Sequence, residues 1–205
     1  SNNSSATSLD ISNKFKIVFG ILQKQISEFT NADIGTTVFI PYTDSTGKIL
    51  LNEGRIEFEV VGVNHHTSNE HSQTITLMTK NVLRSAAFDA GEPSNSDSNR
   101  RKYGNNRWGV SNIRQWLNSS GAADLWFTKQ HNADEAPTAD KVSGSDGAYA
   151  NAPGFLAGFS EDVLQHFTDI TNTTALCDDI DGGGSETTVD KVFLPSYTEM
   201  GFGNN

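Results

Sequence analysis

The sequence predicts an α+β fold with long loops, and three observations carry that reading. Apolar and polar residues alternate over 56–61 (Ile56, Phe58, Val60) and again over 74–78 (Ile75, Leu77), the period of half-buried strands. Ile113, Trp116 and Leu117 fall at i, i+3 and i+4, which places three large side chains on one face of a short helix. The stretches between are rich in Gly, Ser, Thr, Asn and Asp, the residues of turns and surface loops.

Taken in order, residues 1–8 (SNNSSATS) have the composition of a disordered arm. Over 9–35 the apolar positions Ile11, Phe15, Val18, Phe19, Leu22, Ile26 and Phe29 recur at spacings of three and four. They predict an amphipathic N-terminal helix for docking or oligomerisation, ending near Asn31 and Gly35. Its apolar stripe packs either on the domain that follows or on a neighbouring subunit. Residues 36–41 read as a strand and 42–47 as a turn. The two alternating segments form an antiparallel hairpin joined by residues 64–72. Residues 89–106 and 131–151 read as long surface loops, a length that favours recognition over pure scaffolding.

The helix that holds Trp116 starts at Ser111 or Asn112, and Gln115 stands where a capping-box partner of Asn112 would. A second short helix begins at Phe159 with Ser160 as its N-cap and Val163, Leu164, Phe167 and Ile170 on its buried face. After an acidic, glycine-rich loop over 178–186, residues 191–194 read as a strand that Pro195 confines to an edge or an end.

The 205 residues fit one domain with an attached element, and a formal net charge of −10 argues against binding a nucleic-acid backbone. No apolar run approaches the ~20 residues needed to span a bilayer, so membrane insertion is not expected. Cys177 is the only cysteine, which excludes an intrachain disulfide and a thiolate metal cluster.

Arg100, Arg101, Lys102 and Arg107 surround Tyr103 and Trp108. Arg101, Tyr103, Arg107 and Trp108 are therefore the ligand-binding candidates, a mixture suited to a phosphate or sugar, against a reading in which this loop pairs with the protein's own acidic surface. Trp116 and Trp126 lie in apolar runs and read as core, leaving Trp108 as the exposed tryptophan. Asp179, Asp181 and Glu186 supply oxygen ligands of the kind that suit calcium, in poor register for an EF-hand, against a flexible, solvated turn. His65, His66 and His71 lie in the hairpin loop. Adjacent residues of an extended segment point to opposite sides, so an exposed polar loop is expected there in preference to a metal site. Arg114 is expected to make a structural ion pair or carbonyl contact. No nucleophile elbow and no distinct carboxylate pair stands out.

Three ordered motifs then become visible. Ser111, Ile113, Arg114, Trp116, Leu117 and Asn118 form S-x-I-R-x-W-L-N. Phe159, Ser160 and Glu161 open the second helix. Asp190 to Leu194 with Ser196 and Glu199 form D-K-V-F-L-x-S-x-x-E. Over residues 36–202 the chain resembles an uncharacterised domain family of bacterial surface proteins and bacteriophage structural proteins. That family is in turn similar to the fold shared by formylglycine-generating enzymes and C-type-lectin-like phage receptor binders.

The resemblance implies a C-type-lectin-like domain over 36–205 with antiparallel hairpins and two short helices. Such domains continue to a terminal G-x-R-P-like segment, so the domain is expected to be C-terminally incomplete. It also implies a non-enzymatic virion structural protein: a tail, fibre, attachment or head-decoration component. Its partners would be other virion proteins, further copies of itself, or a host-surface glycan or protein. The alternative is a bacterial cell-surface module, extracellular, that binds carbohydrate or protein. An enzyme of the formylglycine-generating type would need a pair of cysteines, and this sequence has one. No cofactor is expected beyond calcium.

Overall fold

The computed structural model describes residues 9–10, 29–68, 71–144 and 146–202. It is a mixed α+β structure with a four-stranded sheet, a separate two-stranded hairpin and few, short helices. In the sheet, β1 (Leu9–Asp10) runs parallel to β2 (Thr37–Pro41). β2 pairs antiparallel with β3 (Arg55–Val63), and β3 with β4 (Ile75–Thr79), giving the order β1-β2-β3-β4.

The alternation read in the sequence sets which face is buried. Val38 and Ile40 of β2 lie opposite Phe58 and Ile56 of β3, and all four are buried. The β3 end of the connection is a tight turn in which Glu53 (φ 50°) and Gly54 (φ 75°) both adopt left-handed backbone, the requirement of a two-residue hairpin turn. The β3–β4 register shifts between Val60 and Gly62, which leaves Val61 turned outward at the bulge.

The helix α1 (Ser98–Tyr103) lies inside the segment expected to be loop, capped by Asp97, whose Oδ1 accepts from Asn99 N and Arg100 N at 2.9 Å each. The helix α2 (Asn112–Leu117) carries Ile113, Trp116 and Leu117 into the core. Of the two cap candidates Ser111 serves, accepting from Arg114 N at 3.3 Å, while Asn112 is buried inside the helix and Gln115 Oε1 accepts from Thr128 N.

Aromatic rings join these parts into one core. Trp126 stacks on Tyr149 at 5.6 Å, and Trp116 touches both Tyr149 and Phe155 at 5.4 Å. Tyr42 stacks on Phe155 and meets Phe159 edge-on. Offset and edge-on contacts of this kind add about 0.5–1.5 kcal/mol each beyond the area they bury.

Three expectations need correction. The second helix is a single turn, α3 (Glu161–Leu164), and Ile170 opens a strand instead of extending it. That strand, β5 (Ile170–Ala175), pairs antiparallel with β6 (Ser185–Asp190), and between them lies a one-turn helix, α4 (Asp178–Asp181). The expected strand over 191–194 is therefore displaced: β6 ends at Asp190, and the residues after it leave the sheet.

The arm over 1–8 lies outside the described residues, as does most of the helix expected over 9–35. At the margins of that helix, Leu9–Asp10 is strand and Asn31–Asp33 is a single 3-10 turn capped by Thr30. Among the described residues no helix is long and apolar enough to cross a membrane.

Candidate functional site

The first and third sequence motifs bind each other. From α2, Arg114 Nε donates to Asp190 Oδ1 at 2.7 Å, and its other nitrogens donate to the carbonyls of Gly109 and Val189 at 3.1 and 3.2 Å. The Asp190 side chain is fully buried. Its Oδ2 accepts from Trp108 Nε1 at 3.0 Å, Asn172 Nδ2 at 3.1 Å and Thr188 Oγ1 at 2.6 Å. A buried carboxylate is tolerable only when paired and hydrogen-bonded in this way. At the end of α2, Asn118 Oδ1 accepts from the amides of Lys191 and Val192, and its Nδ2 donates to the Val192 and Arg114 carbonyls. The motif residues with the most chemical promise thus hold the α2 end to the chain that leaves β6.

Two arginines of the basic loop also turn inward. Arg100 pairs with Asp181 at 2.7 Å, both side chains nearly buried, and Arg107 pairs with Glu186 at 2.8 Å. Glu186 Oε1 further accepts from Gly109 N at 2.8 Å, and it presses on Gly109 so closely that any Cβ there would strike the carboxylate. Asp181 and Glu186, expected as calcium ligands, each serve an arginine, and Asp179 is exposed apart from them. Arg101 donates to the carbonyls of Asn95 and Ser96 at 2.9 Å. Trp108, expected at the surface, is only 9% exposed, because its indole N–H is drawn to Asp190. Tyr103 alone of the four ligand candidates presents a ring to solvent, with Lys102 Nζ 4.9 Å from its centre.

The other face of α2 borders a cavity among the described residues. A pocket of about 910 Å³ lies between β4, the 155–168 segment and the chain after β6. Leu77, Phe159, Phe167, Val192 and Phe193 line it, with Met78, Leu194 and Met200 partly exposed at its border. β4 is the last strand of its sheet, so among the described residues its outer edge has no strand partner.

At this pocket His65, His66 and Glu199 converge. Glu199 Oε1 lies 3.4 Å from His65 Nε2 and 3.1 Å from His66 Nε2. The expectation that adjacent histidines diverge fails because the strand has already ended: Asn64 adopts left-handed backbone (φ 55°), and the two rings then stand edge-on at 4.6 Å. His66 Nδ1 is 3.0 Å from Thr76 Oγ1. Ser196 N donates to Glu199 Oε2 at 2.8 Å, and Glu199 N donates back to Ser196 Oγ, a capping-box pattern. Burial first, and then the neighbouring His65, hold the His66 imidazole below its usual pKa despite Glu199. For Glu199 burial works upward, but the bonds from Ser196 and the nearby histidines outweigh it and keep the carboxyl below its ordinary range.

A family model described as a domain of unknown function (DUF6273) matches residues 72–205, well over half of the chain. The chain belongs to that family. No curated protein and no solved structure matches it. The DUF6273 region takes in β4, all three sequence motifs and Glu199, whereas His65 and His66 lie just before it.

The DUF6273 region also buries acids that the sequence did not single out. Asp89 accepts from Asn105 N at 2.6 Å and Asn112 N at 2.9 Å, and Asn112 Nδ2 donates to Asp134 Oδ1 at 3.2 Å. Burial pushes the Asp89 carboxyl up to about 7 against these two amides, with Asp134 and Glu92 adding to the rise. Burial likewise raises Asp134. Glu92 is fully buried, with one oxygen bonded by Asn95 Nδ2 and the other 3.1 Å from His131 Nε2 in poor alignment. Glu199 was legible in part, since S-x-x-E marks a capping box. Asp89, Glu92 and Asp134 gave no signal, because isolated acids in a polar loop look solvated.

Proposed function

We propose that this domain is a non-enzymatic binding and assembly module that takes an extended, largely apolar protein segment along the free edge of β4. The observation that carries this reading is the coincidence of a strand edge that is unpartnered among the described residues with an apolar pocket of about 910 Å³ beside it. A strand edge offers a row of backbone donors and acceptors, and alternate side chains of an added strand would fall into the pocket. Apolar surface at such a border marks partner sites in soluble proteins.

The setting we propose is a bacteriophage virion, with the domain in a tail, fibre, attachment or head-decoration component and the segment supplied by another virion protein or another copy. The motif resemblance supports that setting, and the lectin-like architecture it implies belongs to the same proposal. The test is sedimentation of the protein from its native source, with its mass determined in the fraction that carries it. Recovery in a large symmetric particle, and loss from that particle of a folded Met78→Glu variant, are the expected results. Recovery as a free monomer removes the virion setting, and recovery with the cell envelope replaces it with a bacterial surface module.

A further inference from the structure

We propose that His65, His66 and Glu199 bind one zinc ion, with a remaining coordination position open to solvent. This goes beyond the docking of a protein segment and does not rest on it.

The geometry is that of a ligand set. The three donor atoms lie within 4.8 Å of one another, and among the described residues no other group of three or more histidine, cysteine or acidic side chains meets that condition. A tetrahedral zinc with bonds of about 2.0–2.1 Å has ligand-to-ligand edges of roughly 3.3 Å. The two separations from Glu199 Oε1, 3.1 and 3.4 Å, bracket that edge.

For His66 and Glu199 the atoms that would face away from the ion are already engaged. Thr76 Oγ1 holds His66 Nδ1, and the Ser196 amide holds Glu199 Oε2, leaving Nε2 and Oε1 turned inward. Outer contacts of this kind orient metal ligands in established sites. The His66 ring is fixed further by Phe193, edge-on at 4.9 Å.

Two imidazole nitrogens address a single carboxylate oxygen. Without metal each neutral ring can donate its Nε2–H to that oxygen; with metal both protons leave and the two lone pairs and the carboxylate turn to one divalent ion. Two neutral nitrogens and one carboxylate suit a borderline ion without geometric preference, hence zinc in preference to calcium or magnesium. His65 is more than half exposed, which gives the ion access to solvent for the open position. The ion would tie the hairpin loop after β3 to the 196–200 turn at the border of the pocket.

The test is titration of the full chain with zinc chloride, read by calorimetry and by metal content after dialysis. Wild-type protein is expected to retain one zinc per chain. Its Tm is expected to rise by roughly 5 °C or more at a hundredfold excess over Kd, with magnesium inert. His65→Ala, at an exposed position, and Glu199→Gln, which keeps the side-chain shape, should each weaken binding at least tenfold while His71→Ala leaves it unchanged. Cobalt(II) in place of zinc should give the visible bands of a four-coordinate site in wild type and lose them in both variants. Absence of zinc retention in wild type, or equal retention by wild type, His65→Ala and Glu199→Gln, overturns the proposal. Because the docking test uses Met78→Glu, outside the ligand set, either proposal can fail while the other stands.

Discussion

Two regions of this domain treat their charged residues in opposite ways. Around α1, α2 and the β5–β6 hairpin, charge is spent internally: Arg100 on Asp181, Arg107 on Glu186, and Arg114 on Asp190. Around the β3–β4 hairpin tip, two histidines and a glutamate converge on shared space beside an apolar pocket, next to a strand edge that nothing described covers. The comparison teaches that conspicuous residue types mark a site only where they are not consumed in holding one part of the fold to another. The first region has the chemistry of a binding surface and the wiring of a scaffold. The second has modest residues gathered on one another beside an apolar pocket.

The strongest way to break the comparison is through Asp190. If its carboxylate is structural, Asp190→Ala strands the Arg114 guanidinium and the Trp108 indole, and should cost ~3–5 kcal/mol in urea denaturation. The Arg114→Ala/Asp190→Ala double variant should lose less than the two single losses added together. A stable, cooperative Asp190→Ala protein would return this cluster to the list of functional sites.

Asp89 sharpens the same contrast through pH. Its folded pKa, about 7, lies above the unfolded value near 4, so the fold favours the neutral acid. That contribution is complete below the unfolded pKa and is lost as pH rises from about 4 through 7. Wild type should therefore lose stability between pH 5 and pH 8 relative to Asp89→Asn, and equal slopes for the two proteins would refute it. The smallest effect belongs to Arg107→Ala. Arg107 is about one-third exposed and Glu186 keeps its bond from the Gly109 amide, so the loss should be about 1 kcal/mol or less by thermal unfolding.

The sequence revealed those parts whose pattern is local. Val38 to Val60 and the α2 face could be read because apolar spacing alone sets which side is buried. The β5–β6 hairpin could not, since ITNTTA and SETTVD are polar strands that bury only Ile170, Thr188 and Asp190. Nor could the ion pairs, whose partners are distant in the chain and meet only when the hairpin folds against α2. The convergence of the two histidines was missed for a different reason. Asn64 leaves extended backbone one residue before His65, which voids the alternation rule on which the expectation rested.

The most direct test of this contrast is photo-crosslinking in the protein's native source, with a photoreactive amino acid placed either at Met78 on the β4 edge or at Tyr103 on α1. Both side chains are exposed, 39% and 56%, so both positions should accept the label. Capture of a protein partner from position 78 and none from position 103 is the expected result. Capture from 103 with position 78 silent would place the binding surface in the region we assign to scaffolding, and would contradict the account.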